Sequence, residues 1–515
     1  MKAKTLMVMG TSSSAGKSLL TAGLCRCFSR RGILVAPFKA QNMSNNAAVC
    51  ADGTEIGRSQ ALQALAAGVP PCSDMNPILL KPEGESRSQV IVNGRPLETL
   101  DAADYFQRRA QLWPHVTSAL DRLRCKFDLV VIEGAGSPAE LNLSDVEIVN
   151  MSVARYCRSP VVLVGDIERG GVFAQLLGTL WLLEPDDRAL ICGLIVNKFR
   201  GDLSLFDRGV ELLEKRGGLP VLGVLPWIDA LHLPEEDAVA LSSLMPSQET
   251  TLDDSKIDIA VIHFPHISNF DDFDLLHREP CVNLRYVRSA DRLGKPDVVI
   301  LPGTKNTIGD LEWLKSTGLA TQVQQSIHSG VQVVGICGGY QMLGNDIHNP
   351  HCVETNSVSA RGLGMLDIET MFHTEKQTRQ VQMRLIDETV VPGLIGETLS
   401  GYEIHSGRTN SRSSWLARIE TDNSSHLLGQ DGAHSRHGQV WGCYLHGLFD
   451  NDRFRSAWLR KLGATTFFSD SSSARASIEL SLDRLADAFE KHVDFDQIMK
   501  LTFHSNLPLE TQYAG

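Results

Sequence analysis

Cys337 ends an apolar run, Val331-Gln332-Val333-Val334-Gly335-Ile336-Cys337-Gly338-Gly339, and a helical pattern follows it. A strand that stops on a cysteine between small residues puts the sulfur on a sharp strand-to-helix turn. That is a nucleophile elbow, with sulfur replacing the serine oxygen. The flanking glycines allow the tight turn and a close approach of substrate. The N–H of Gly338 and N–H groups near Gly303, in the strand-then-turn run Asp297-Val298-Val299-Ile300-Leu301-Pro302-Gly303-Thr304-Lys305, are placed to form an oxyanion hole. A thiol nucleophile needs a base. His446 follows the strand-like Gln439-Val440-Trp441-Gly442-Cys443 and precedes Gly447, so its ring can leave the core and reach the sulfur. His405 is the rival base, in a motif that reads more as a wall of the site. The plainer reading of Cys337 is a buried structural cysteine. Glycine on both sides argues against it.

A second chemistry is written at the other end of the chain. Thr5-Leu6-Met7-Val8-Met9 reads as a buried strand, Gly10 to Ser18 as a phosphate loop, and Leu19 to Arg31 as a helix. Loop N–H groups at Gly10, Thr11 and Gly16 and the helix start would cradle phosphates. Lys17 adds a point charge, and the Ser18 hydroxyl can ligate magnesium. Five residues separate Gly10 from Gly16, one more than usual; this longer loop resembles the dethiobiotin synthetase branch of P-loop proteins. Glu133 ends a buried strand before Gly134-Ala135-Gly136, as the magnesium-holding acid of P-loop enzymes does. Asp52 reads as a second magnesium acid or as a cap opening a helix. Asn197, at the end of another strand, is placed to read an adenine edge. Lys39, at a strand end and followed by Gln41 and Asn42, suits a substrate rich in carboxylates and amides. Lys81 and Arg87 add positive charge that either serves the anion site or lies on the surface.

Elements must position these residues. Strands alternating with helical segments predict α/β architecture, with two doubly wound, mostly parallel sheets. The boundaries read as residues 1–235 for an ATP-dependent domain, 236–256 for a polar linker, 257–455 for the cysteine domain and 456–515 for a helical tail. Residues 478–493 have amphipathic spacing and read as packing without chemistry. The net charge of −12 argues against wholesale nucleic-acid binding. Eleven scattered cysteines with no CxxC pair argue against a zinc site or a disulfide framework and for a reducing, cytoplasmic setting. No apolar stretch reaches membrane-spanning length.

Several long motifs in order carry a resemblance to a known family. They are the phosphate loop, Ala36-Pro37-Phe38-Lys39-Ala40-Gln41-Asn42-Met43-Ser44-Asn45-Asn46, Asn76-Pro77-Ile78-Leu79-Leu80-Lys81-Pro82, Gly165-Asp166-Ile167-Glu168-Arg169-Gly170-Gly171 and the Cys337/His446 domain. Together they resemble cobyric acid synthases over nearly the whole chain to about Asp450. The resemblance implies a P-loop ligase domain fused to a flavodoxin-like class I glutamine amidotransferase domain. It implies amidation of the b, d, e and g carboxylates of adenosylcobyrinic acid a,c-diamide to adenosylcobyric acid, with ATP, Mg2+, L-glutamine and a cobalt corrinoid as reactants. Cys337 would release ammonia from glutamine, and ATP would turn each carboxylate into an acyl phosphate. Class I amidotransferases usually carry an acid two residues after the histidine. Here that position is Leu448, so the residue that orients His446 is open, with Glu403 as the candidate. Cobyrinic acid a,c-diamide synthase and a partitioning-type P-loop ATPase are the alternatives. Oligomeric state and the ammonia path stay open.

Overall fold

The structure is a computed structural model and describes all residues except 1, 85, 143–146, 230, 232, 235–252, 254, 423–428, 466–473 and 505–515. The proposed linker 236–256 therefore lies almost wholly outside the described residues.

The first domain is built on six parallel strands, in the order Val221–Pro226, Ile191–Phe199, Val161–Asp166, Lys4–Gly10, Leu129–Glu133 and Val35–Phe38. Leu6 to Met9 and Val130 to Ile132 are buried on both strand faces, as continuous apolar runs in a covered parallel sheet must be. Lys4–Gly10 lies between the strands ending at Glu133 and Asp166, with Val8 paired to Glu133 and Gly10 to Val164. The phosphate loop and both acids therefore gather at one sheet edge. The helix α1, Lys17–Arg30, starts after Gly16, whose φ of 97° is open to glycine at little cost.

The second domain has an eleven-stranded sheet. Its parallel part runs Val282–Val287, Ile257–Ile262, Val298–Leu301, Gln332–Ile336 and Val440–Cys443. Beyond Val440–Cys443 the sheet continues largely antiparallel, through Gln430–His434 and Ser414–Asp422 to the long hairpin of Ile368–Leu385 and Thr398–Ser411. The doubly wound reading of the sequence covered the parallel part alone.

The domains meet along this hairpin. Residues 41–57 of the first domain form the strand Gln41–Met43 and the small hairpin Ala47–Val49/Glu55–Gly57; the helix α2, Arg58–Ala67, follows. Ala47, Val49, Leu79 and Ile91 cluster with Ile404 of the second domain. Beside them the buried carboxylate of Glu55 is held between Lys81 and Lys376, at 2.7 Å from the latter. Burial disfavours all three charges. The two lysines nevertheless draw Glu55 down to about 2, while burial outweighs Glu55 at Lys376 and lowers it to about 7.

The tail divides between the domains. Helix Asp452–Lys461 sends Phe454 and Trp458 into the second core. Helices Ala474–His492 and Phe495–His504 return to the first domain, where Leu482, Leu485, Phe489 and Ile498 join Leu24 and Phe28 of α1. The missing side chain of Gly23 lets the Phe489 ring lie against α1, 2.7 Å from where a Cβ would stand. Arg26, Arg30 and Arg31 pair with Glu479, Asp483, Asp487 and Glu490 across the same seam. Among the described residues no helix is long and apolar enough to cross a membrane, and all eleven cysteines are free.

Candidate active site

The strand Gln332–Ile336 delivers Cys337 at φ 51° and ψ −108°, and helix Gly338–Met342 begins immediately. Few non-glycine residues sit at positive φ, so the turn is the strained elbow that the spacing implied. Two backbone bonds fix it: Cys337 N–H donates to the Cys443 carbonyl at 2.8 Å, and Gln341 N–H donates to the Cys337 carbonyl at 3.1 Å. Gly339 is obligatory here, because any side chain would overlap the Leu301 carbonyl.

His446 follows the neighbouring strand Val440–Cys443, which pairs with the cysteine strand, Ile336 opposite Cys443. Its ring is buried, stacks on Tyr402 with centroids 5.2 Å apart, and borders the same cavity as Cys337, whose thiol donates to the Ile404 carbonyl at 3.7 Å. Nδ1 lies 2.7 Å from Asp272 Oδ2, and Asp272 Oδ1 accepts from the Gly447 N–H at 2.8 Å. A carboxylate at Nδ1 fixes the proton there, which leaves Nε2 to take the thiol proton. Burial opposes a charge on the ring, but Asp272 and the sulfur outweigh it and raise His446 to about 10. Gly303 also borders the site, since a Cβ on it would sit 3.1 Å from His446 Cε1.

Asp272 is the residue that sequence reasoning missed. Glu403, the candidate offered for its place, pairs instead with Arg379 at 2.7 Å. His405 stacks on Tyr444 and binds the Gly407 carbonyl through Nδ1, as a wall residue would. Phe270-Asp271-Asp272-Phe273 is a 3-10 turn in which both phenylalanines are buried, and they carry the acids between them inward.

The cavity at Cys337 is closed by both domains: Asn45 and Lys81 come from the first, Lys305, Gln341, Glu354 and Lys376 from the second. Burial raises Glu354 to about 7 against the pull of Lys305. Lys81 therefore belongs to this cavity and not to the phosphate loop. Arg87 is exposed, and its side chain lies 3.8 Å from Asp101.

In the first domain the Ser18 hydroxyl donates to Glu133 Oε1 at 2.7 Å, and Lys39 Nζ lies 2.9 Å from the same oxygen. Gln63 of α2 donates to Glu133 Oε2 at 2.6 Å. Burial would raise Glu133, yet Lys39 and these hydrogen bonds lower it. Lys17 Nζ is held by the carbonyls of Ser12, at 2.8 Å, and Gly136, at 3.0 Å. Thr11 Oγ1 donates to Gln175 at 3.2 Å, and Asn197 Nδ2 donates to the Ala15 carbonyl at 2.9 Å, latching the loop. A cavity of about 480 Å³ leads from Gly16, Lys17 and Ser18 past Asn197 to Trp227 and Phe489.

Two expectations need correction. Asp52 opens no helix and does not join Ser18. Its carboxylate accepts from the N–H and hydroxyl of Thr54 in the turn of the small hairpin, and a Cβ on the neighbouring Gly53 would meet the Thr378 carbonyl of the second domain. Nor is the tail inert packing, because Leu485 and Phe489 line the cavity beside the phosphate loop. Of the substrate-binding trio, Lys39 is at Glu133. Gln41 accepts from the Tyr105 hydroxyl, and buried Asn42 donates to Gln60 at 3.1 Å.

An all-oxygen pair of a serine hydroxyl and a carboxylate suits Mg2+, provided Lys39 yields its place at Oε1. Among the described residues no group of three or more His, Cys, Asp or Glu could hold a metal. The Ser18–Glu133 pair offers two of the oxygens that a cation shared with a phosphate would need.

Comparison with known proteins bears on both sites. The CobQ/CobB/MinD/ParA nucleotide binding domain matches residues 6–239, and the CobB/CobQ-like glutamine amidotransferase domain matches residues 258–454. A cobyric acid synthase of Chloroflexus aurantiacus is 55% identical over 90% of this chain and 93% of its own length. One of Chloroflexus aggregans is 51% identical over 98% of this chain and 100% of its own, and one of Herpetosiphon aurantiacus 51% over 97% and 99%.

Proposed function

Since the chain belongs to the cobyric acid synthase family and is an ATP-dependent glutamine amidotransferase of cobalamin biosynthesis, we propose that Cys337 and His446 release ammonia from glutamine for carboxylates activated beside Lys17, Ser18 and Glu133. The observation that carries this reading is a buried His446, bound to Asp272 and lining one cavity with Cys337, which the ligase domain helps to close.

His446 Nε2 removes the thiol proton, and the sulfur attacks the side-chain amide carbon of glutamine. The oxyanion is held by the Gly338 N–H with a second donor near Gly303. His446 then protonates the leaving nitrogen. Ammonia departs, and water hydrolyses the glutamyl thioester. The lysines of the cavity suit the α-carboxylate of glutamine, and Glu354 suits its ammonium.

In the first domain Gly10, Thr11 and Gly16 cradle the phosphates, and Lys17 leaves its loop carbonyls to meet them. The adenine occupies the apolar cavity by Asn197 and Trp227. Ser18 and Glu133 would hold Mg2+, which would neutralise phosphate charge when bound. A corrinoid carboxylate attacks the γ-phosphate, and ammonia displaces phosphate from the acyl phosphate. Lys39, freed from Glu133, offsets charge on the substrate, with Gln41 and Asn42 shaping the strand beside it. The substrate is adenosylcobyrinic acid a,c-diamide and the acids amidated are b, d, e and g. The unpaired thiols favour the cytoplasm as the compartment.

Two variants test the division of labour. Cys337→Ala should abolish glutamine-supported amidation and keep ammonia-supported amidation, whereas Lys17→Ala should abolish both. Product mass after incubation with ATP, the a,c-diamide and either nitrogen source reads the result. Full use of glutamine by Cys337→Ala would overturn the nucleophile.

A further inference from the structure

Asp272 does not stand alone. Asp271 precedes it on the same buried turn, and the half-buried Asp274 and the exposed Asp450 lie near enough to act on the pair through their charge. Neighbouring carboxylates in a buried site resist joint ionisation, and one of them takes a proton unless a cation intervenes. The cation comes from the other domain. Arg58 is the first residue of α2, and its Nη2 lies 2.7 Å from Asp271 Oδ2. The Arg58 N–H donates to the Asn46 carbonyl of its own domain at 3.2 Å, and the Ala47 N–H donates to Asn269 Oδ1 of the second domain at 3.1 Å, so the two domains are pinned together here.

We infer that Arg58, carried by the ligase domain, is a positioning residue of the glutaminase, keeping the Asp271–Asp272 pair charged so that Asp272 can hold the His446 ring. The inference rests on the reading of Cys337 and His446 as the glutaminase pair. Its physical content is a division of roles between adjacent acids: Asp271 faces the guanidinium, and Asp272 faces the imidazole and the Gly447 N–H. Without Arg58, Asp271, which burial already raises, takes up a proton more readily, and the negative charge around the His446 ring weakens. Imidazolium is then less stable, and thiol deprotonation suffers most at low pH, where that proton is easiest to supply.

Other charges around the nest do not replace Arg58. Arg278 faces Asp274 and Asp450. Arg455 is engaged with Glu279 at 2.8 Å and with Asp452. Tyr402 and Cys337 complete the groups facing Arg58 and His446.

The test uses the full chain with Arg58→Met and Arg58→Lys. Glutamate release is followed from pH 5.5 to 9, and ammonia-supported amidation reports the integrity of the ligase. Arg58→Met should lose about tenfold in kcat/KM near pH 6, as its acid limb moves up by about one unit, and should approach wild type at pH 9. Arg58→Lys should retain most of the wild-type profile, and ammonia-supported amidation should stay within about twofold in both. An unshifted acid limb in Arg58→Met, or an equal loss at every pH, overturns the inference. So does a parallel loss of ammonia-supported amidation, which would assign Arg58 to the ligase. Failure of the underlying reading looks different, because it would appear as glutamine use surviving in Cys337→Ala.

Discussion

The acid that orients His446 lies 174 residues before it in the chain. Class I members usually keep that acid two places after the histidine, and here Leu448 stands there. The cysteine and the histidine were legible because each follows an apolar strand and is followed by glycine, a local pattern. Asp272 was not, because only the packing of a separate turn against Gly447 brings it to the ring. If Asp272 fixes the tautomer, Asp272→Asn should lower glutamate release by about 10²–10⁴-fold, while ammonia-supported amidation persists. A loss of less than about threefold would show that the ring needs no carboxylate. Asp52 teaches the opposite lesson. An aspartate before a glycine caps turns as readily as helices, and nothing local says which.

Among the elements, the parallel strands and α1 were readable from continuous apolar runs and from Gly16-Lys17-Ser18. The long strand Ile368–Leu385 was harder. Its buried positions alternate only at the ends, with Ile368, Thr370 and Phe372, then Val381, Met383 and Leu385, and its middle is polar because it faces the other domain. The amphipathic spacing of residues 478–493 correctly marked a helix, but periodicity names a buried face and not the partner that buries it. That partner is α1, through Phe489 over Gly23. Phe489→Ala should cost about 3–5 kcal/mol in denaturant unfolding of the first domain. It should also raise the KM for ATP, since the ring lines the cavity beside the phosphate loop. An unchanged unfolding midpoint would remove the helix from the core of that domain.

Across the whole molecule, the two chemistries are close because one short stretch serves both. Lys39 touches Glu133, and Asn45 lines the cysteine cavity. Six residues extended span at most about 20 Å. The seam between the domains is fixed by charge as well as by apolar contact. Glu55 sits between a lysine from each domain, so Glu55→Gln leaves two buried ammonium groups without their carboxylate. The expected loss is about 3–5 kcal/mol, read as a lower midpoint of thermal unfolding near neutral pH. The sign follows from the lowered acid. Glu55 is held to about 2 in the folded state, so its contribution is present above about 4.5 and fades as pH falls through 2. Wild type and variant should therefore converge in strong acid. A gap that stays constant with pH would show that the carboxylate is not ionised in the interface.

The helix against α1 also fixes an order of manufacture. A ribosome makes the phosphate loop before the glutaminase domain and residues 474–504 after it. Throughout that interval the ligase half has its sheet but lacks the wall that Leu485 and Phe489 supply, so the nascent chain finishes the nitrogen-releasing half before the nucleotide-binding half. Splitting the gene between the two domains would strand that wall on the wrong polypeptide, and the ligase half would have to recover it by association.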